Sequence, residues 1–466
     1  MQSKRQQETL QIKAKQFSEK VRNILDDPKV YAKLCEHVEA MDKSNNVKQL
    51  HDEGFPFSLV QLTQPKTQCT YYALLSRKDS IIGKGLFGSA KFSYVFSNEA
   101  PRQGNLRVIK KIKPIKRDDV NVLQSEAAFT HSIFGIFGCA NRLNNKRVSV
   151  GYIDMPFVGV NLEIFLKENG SMLATEARFL IVFNLVNALA DLHQKGIVHR
   201  DIKIENITID PMTFRVSIID YGFAKDIKMG LSGYTCGTPA YLAPDIDEKI
   251  EDEKVDIYAL SLVIALIMGG NVDRILINKL NMQDKIKQKF PSMPAPEYHP
   301  GIRQASYVFD SLFSHYNQAS QALETLKQSL SNILKKMSAR HSERTHLYQV
   351  LLALHAAEKE YYSSSTGKVL MSDALNLAAY NNQVGVIAYL LKKGVDVNFI
   401  TDSDCAALHV AAYRGHIAAV KLLLANDADP LLLNDKKQTP ISLAKSKGHH
   451  NIIELLQQSQ QKRLLR

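Results

Sequence analysis

The stretch Ile82-Gly83-Lys84-Gly85-Leu86-Phe87-Gly88 sets three glycines where backbone N–H groups can approach phosphate oxygens without side-chain clash. Turns and dinucleotide-binding loops share this spacing. A dinucleotide loop, however, opens a helix at its third glycine, and here strand-like residues lie on both sides. The next strand pattern, Leu106-Arg107-Val108-Ile109-Lys110, alternates, so Val108 and Lys110 share one face. A lysine there reaches phosphates while Val108 lies against a nucleotide base. Taken alone, Lys110 is equally a solvated strand lysine. A helical pattern follows over residues 120–137. Glu126 is the sole acidic residue between 120 and 139, and Lys110 is its natural partner.

Two further segments are more specific: Ile197-Val198-His199-Arg200-Asp201-Ile202-Lys203-Ile204-Glu205-Asn206 and Ile218-Ile219-Asp220-Tyr221-Gly222. They are followed by Gly237-Thr238-Pro239-Ala240-Tyr241-Leu242-Ala243-Pro244-Asp245 and Val255-Asp256-Ile257-Tyr258-Ala259-Leu260. In order and spacing these pieces resemble the protein-kinase family over residues 68 to 355. The resemblance implies ATP and Mg²⁺ as cofactors. It implies Asp201 as the catalytic base, Asn206 and Asp220 as Mg²⁺ ligands, and Lys203 beside the γ-phosphate. Lys110 with Glu126 would orient the inner phosphates, and the backbone of Gly83 to Gly88 would cover them. Met155 falls at the gatekeeper position and Phe157 and Val158 at the adenine-binding hinge. Asp256 would brace the catalytic loop, and Arg344 would pair with Asp245. Tyr221 stands where the family usually has Phe, Asp245 where it has Glu, and Ala90 where it has Val.

Lys203, two residues after Asp201, resembles the Ser/Thr kinases, and Thr238 is expected to contact both. The expected substrate is a protein Ser or Thr hydroxyl. A lipid kinase on the same fold is the alternative, since the segment 272–330 departs from the family's substrate-side helices. A pseudokinase scaffold is the second alternative; against it stand Lys110, Asp201, Asn206 and Asp220, all present. Arg200 before Asp201 implies control through phosphorylation at Ser232, Tyr234 or Thr235.

The elements that must position these residues follow from patterning. The chain has 466 residues, too many for one ordinary core. Residues 1–66 are polar, with helical spacing of Val21, Ile24, Leu25 and of Val30, Leu34, Val38, and are expected as a helical extension. Tyr71–Leu75 reads as a strand, and 174–194 as a long helix ended by Gly196. The apolar run Ile257–Met268 is too short to span a bilayer and reads as a buried helix. A kinase-like domain is expected over 67–360 and a Ser-rich linker over 361–369. Residues 370–458 then repeat with a 33-residue period, marked by Ala378, Ala411 and Ala444 and by Leu390, Leu423 and Leu456, before a polar tail at 459–466. That period resembles the ankyrin family. Gly415, Gly448 and Asn382 stand where its inter-helix turns need positive φ.

The expected fold is therefore α+β: a bilobal kinase fold, with a small β-rich lobe and a large helical lobe, plus an all-α ankyrin solenoid. The ankyrin resemblance implies a protein partner. A net charge of +12 suits a nucleotide or an anionic membrane surface, and no nucleic-acid partner is expected. Five scattered cysteines imply no disulfide framework or zinc site. The N-terminus lacks the apolar core of a signal peptide, so a cytoplasmic location is expected, with export into a host cell without a cleaved signal as the variant. Kinase joined to ankyrin repeats resembles effectors of intracellular bacteria.

Overall fold

A computed structural model describes residues 2–41, 47–49, 57–63, 69–76, 81–85, 88–97, 104–112, 115–116, 120–134, 139–143, 148–229, 236–243, 252–269, 321–339, 341–363, 365–401 and 404–464. It divides into two compact units: Met1–Val160 with Ile219–Lys225, and Asn161–Ile218 with Asp226–Arg466.

The first unit is built on a nine-stranded antiparallel sheet: β1 (Val47–Gln49), β2 (Phe57–Thr63), β3 (Thr70–Ser76), β4 (Ile81–Gly85), β5 (Gly88–Phe96), β6 (Asn105–Ile112), β7 (Ile115–Lys116), β8 (Cys139–Leu143) and β9 (Val148–Met155). β3 and β4 follow each other along one edge of β5, and β6 takes the other edge. β8 pairs with β9 and, at Thr63, with β2, so the sheet curls back on itself. Strand alternation then sorts two cores. Val60, Leu62, Ala73, Leu75, Ile109 and Tyr152 pack on one face. Phe57, Leu59, Tyr72, Leu74, Phe92, Tyr94 and Phe96 turn to the other.

That second face is covered by α1 (Gln2–Leu25) and α2 (Pro28–Glu39). Ala14, Phe17, Val21 and Leu25 fall at helical spacing and are buried there. The break between the helices is chemical. Asp27 caps α2 by accepting the N–H groups of Lys29 and Val30, and Pro28 sits at its first position. Residues 1–66 are thus not a helical extension alone. Residues 57–63 form β2, paired along its whole length with β3, because Phe57 and Leu59 feed one core while Val60 and Leu62 feed the other. α3 (Val120–Phe134) lies within the 120–137 expected, and residues 135–137 lie outside the described residues.

In the second unit α4 (Leu162–Asn169) is capped by Asn161, and α5 (Thr175–Gln194) is the long helix expected, ending before Gly196 at φ 75°. α6 (Lys254–Ile267) is buried through nearly its whole length. Buried Arg178 of α5 donates to the carbonyl of Ile267 at the end of α6. Among the described residues no helix is long and apolar enough to cross a membrane. α7 (Gln321–Met337) and α8 (Leu347–Ser363) follow. Residues 271–320, which hold most of the atypical segment 272–330, lie outside the described residues, as do Ser232, Tyr234, Thr235 and Asp245.

At its described residues the expected linker is helical instead. α8 ends at Ser363 and α9 (Ser365–Tyr380) begins two residues on. Three helix pairs follow: α9 with α10 (Val384–Lys392), α11 (Ala407–Arg414) with α12 (Ile417–Ala425), and α13 (Pro440–Ser446) with α14 (His450–Leu464). Asn382, Gly415 and Gly448 take φ of 54°, 81° and 71° at the turns within each pair. His416 and His449 bond the carbonyls of Tyr380 and Tyr413, the same bond one repeat apart.

The first pair does not stand free. The N–H of Gly385 donates to the carbonyl of Met212 at 2.8 Å, and a Cβ at 385 would lie 1.9 Å from the Thr213 carbonyl oxygen. Only glycine permits that approach. Glu358 of α8, 1% exposed, is met by the Tyr389 hydroxyl from α10 and, at 2.6 Å, by Lys393 just beyond that helix. Next to it, His355 stacks on Phe183 of α5 with ring centroids 4.5 Å apart.

Candidate active site

In the first unit, β4 and β5 form a hairpin that pairs Gly83 with Ala90, Lys84 with Ser89 and Gly85 with Gly88. Leu86 and Phe87, at its tip, lie outside the described residues. A row crosses the sheet from Phe92 to Val108 to Met155, and the next row runs Ala90, Lys110, Ile153. Val108, Lys110, Met155 and Ala90 therefore share a face, as alternation requires. Phe157 and Val158 follow β9 in a segment without regular structure.

Lys110 Nζ lies 2.5 Å from Glu126 Oε1 and 2.7 Å from Asp220 Oδ1. The helix α3 brings Glu126 in, with Ala127 buried against Ile153. Asp220 has left-handed φ 70°, a backbone state that short polar residues tolerate, and it turns the carboxylate toward the lysine. Behind it the Tyr221 ring packs edge-on to Phe134 of α3. Burial works against the charge on Lys110, but two adjacent carboxylates prevail and raise its pKa above the ordinary lysine value. Burial, helped by the Asp220 charge, raises the pKa of Glu126 against the pull of Lys110.

In the second unit, Asp201 follows Arg200, whose φ is 63°. Its Oδ1 accepts from the Thr238 N–H at 2.8 Å and from the Thr238 hydroxyl at 2.6 Å. Its Oδ2 accepts from Asn206 Nδ2 at 2.9 Å and from Lys203 Nζ at 2.8 Å. Lys203 also donates to Thr238 Oγ1 at 2.7 Å. These contacts close a gap of 37 residues between Asp201 and Thr238. Gly237 permits it: its φ is 113°, and a Cβ would lie 2.4 Å from the Arg200 carbonyl oxygen. Asn206 donates through Nδ2, so its amide oxygen is the atom that could accept a cation.

Asp256 holds this loop from α6. Its carboxylate accepts the N–H groups of His199 and Arg200, each at 2.8 Å, and meets His193 Nε2 at 2.9 Å. Burial opposes its charge, yet those bonds and the two histidines hold its pKa below the ordinary value. The bracing expected for Asp256 is what the geometry contains. Arg344 sits over the Tyr258 ring and donates to the carbonyls of Ala339 and Lys254. Its expected partner Asp245 lies outside the described residues.

A family profile described as "Protein kinase domain" matches residues 77–355, more than half of the chain. The chain belongs to the protein kinase family. A second profile, "Ankyrin repeats (3 copies)", matches residues 337–434 and 408–464 and places ankyrin repeats after the kinase domain. Among curated relatives, "Dual serine/threonine and tyrosine protein kinase" of Bos taurus is 38% identical over 100 residues, covering 22% of this chain and 11% of the relative. The protein of that name from Xenopus laevis matches to the same extent. "cGMP-dependent protein kinase, isozyme 1" of Drosophila melanogaster is 37% identical over 115 residues, covering 24% of this chain and 15% of the relative. The chain thus spans roughly a tenth to a seventh of the length of these relatives.

In this kinase the sequence motifs fall into two described clusters. Lys110, Glu126 and Asp220 meet in the first unit, and Asp201, Lys203, Asn206 and Thr238 meet in the second. Sequence reasoning missed His193, whose contact with Asp256 spans 63 residues. It also missed Phe92, whose ring packs behind Phe157. Neither carries a local motif; a histidine in the last turn of a helix reads as a helix-end cation.

Proposed function

We propose that this kinase transfers the γ-phosphoryl group of ATP to Ser or Thr hydroxyls of proteins. The observation that carries the reading is the carboxylate of Asp201, fixed at both oxygens by Thr238, Lys203 and Asn206. A carboxylate so held can accept the proton of an incoming hydroxyl as its oxygen attacks phosphorus. Lys203, 2.8 Å from that carboxylate, offsets negative charge developing on the transferred group. Lys110, kept charged by its two carboxylates, binds the inner phosphate oxygens. Val108, Met155, Phe157 and Val158 supply the surroundings of the base.

The donors suit Mg²⁺: a carboxylate at Asp220 and an amide oxygen at Asn206 are the hard oxygen ligands it takes. Mg²⁺ held by either residue would neutralise phosphate charge. Lys203 bonded to both Asp201 and Thr238 supports the Ser/Thr class. The ankyrin repeats fit recruitment of a protein partner.

The test is transfer from γ-labelled ATP with Mg²⁺ into separate protein and lipid extracts, wild type against Asp220→Ala. Label on protein Ser and Thr, lost in the variant, is expected. Label on tyrosine as well would widen the class toward that in the bovine relative's name. Label in lipid alone would overturn the protein-substrate reading.

A further inference from the structure

The sheet face that carries Ala90, Val108, Lys110 and Met155 is also the face that α1 and α2 cover. Phe92 belongs to both. It sits two residues beyond Ala90 on β5 and pairs with Val108, which pairs with Met155. Its ring centroid lies 5.6 Å from that of Phe157, at 63°. From the other side Phe17 of α1 stacks on Phe92 at 6.3 Å and 27°, and meets Phe57 edge-on at 6.0 Å. An unbroken run of rings, Phe57–Phe17–Phe92–Phe157, therefore joins the N-terminal helix to the segment proposed to hold the base.

That segment needs external support. Residues 156–159 belong to no strand or helix, and Gly159 has φ 109°. Without ladder hydrogen bonds, side-chain packing must fix its path. Phe157 is only partly buried and joins the cluster at its edge, whereas Phe17, Phe92 and Phe57 are 7%, 1% and 0% exposed. Dense cores shift as units, so removing one ring lets the next one move.

We propose that Phe17 is a positioning residue for the nucleotide. It holds Phe92, and through it Phe157, in the place that binding of the base requires. Nucleotide affinity is thereby tied to the docking of α1. This rests on the nucleotide-site reading of the preceding subsection.

The experiment is calorimetric binding of MgATP to the full chain, wild type against Phe17→Ala, Phe17→Leu and Leu34→Ala. Leu34 lies in the same buried cluster but on α2, outside the run of rings, so it controls for lost stability. Phe17→Ala is expected to weaken MgATP binding about five- to tenfold, the loss of uniform binding that raises KM rather than lowering kcat. Phe17→Leu should restore most of it, and Leu34→Ala should leave it near wild type. Hydrogen exchange on the wild-type chain gives the reciprocal reading without any variant: MgATP should slow exchange over residues 14–25. Unchanged binding in Phe17→Ala, equal weakening in Leu34→Ala, or no exchange response in α1 would each overturn the inference. A wild-type chain that binds no MgATP would overturn the nucleotide-site reading itself, and the inference with it.

Discussion

Two buried carboxylates of the second unit sit in the first turn of a helix, one in the catalytic-loop region and one where the kinase domain meets the ankyrin repeats. Asp256 opens α6, and Glu176 opens α5. They are 1% and 2% exposed. Their electrostatics are opposite. Asp256 receives two backbone N–H groups and His193, and its pKa is lowered despite burial. Burial drives Glu176 up to about 7. Its own N–H and the Tyr361 hydroxyl bond it, Asp373 of α9 adds a like charge, and its Oε1 meets no hydrogen-bond partner among the described residues. Depth alone does not set the state of a buried acid; the donors around it do. One region commits its donors to fixing a loop, and the other leaves a carboxyl that is neutral below about pH 7.

The contrast is sharpest at Asp256. Asp256→Ala strips the acceptors from two backbone N–H groups and leaves His193 without this carboxylate. Breaking a buried charged network of this kind costs about 3–5 kcal/mol, and the loop that carries Asp201 loses its register. Urea denaturation should register the first effect, and loss of nearly all phosphate transfer the second. Its stabilisation holds above pH 3.8, the ordinary aspartate value, and goes as the pH falls through its lowered value.

Glu176 runs the other way. Its contribution is fully present below pH 4.5, the ordinary glutamate value, and is lost as the pH rises through about 7. Each tenfold difference in proton affinity between folded and unfolded chain is worth ~1.4 kcal/mol, so the wild type should lose about 2–3 kcal/mol across that window. Glu176→Gln, which cannot ionise, should flatten this part of the stability profile and leave the variant more stable than wild type at pH 8. Denaturation midpoints at pH 5 and pH 8 check it; parallel profiles would refute it.

The smallest effect belongs to the partly exposed end of the junction. Lys393→Met removes the cation from Glu358 while keeping the bulk of the side chain. Because the lysine is 30% exposed, solvent screening limits the cost to about 1–2 kcal/mol, below that at Asp256. Limited proteolysis should then cut the chain near residues 363–385 faster than in wild type.

Much of the site was legible because its chemistry is local. Asp201, Lys203 and Asn206 sit within six residues, and the backbone there has few ways to fold. The repeats were legible because a 33-residue period states its own stacking. β2 was not, since seven residues between polar stretches give a weak period-2 signal, and its identity comes from pairing with β3. Nor was the junction. The Ser-rich stretch at 361–369 reads as a linker but is helical at its described residues, because the packing of α8 and α9 against α5 outweighs local propensity. Glu358 and Glu176 look like solvated helix residues until Lys393, Tyr389 and Tyr361 arrive from elsewhere in the chain.

By itself the sequence determined the family, the order of its parts and the side chains on which the proposed phosphoryl transfer rests. Those depend on residue type and short spacing. Tertiary structure alone decided that α1 backs Phe92, that the first repeat docks on α5 and the turn at Met212, and which buried acid is charged. Each of these is set by groups far apart in the chain, whose donors, rings and carbonyls meet only when the fold has formed.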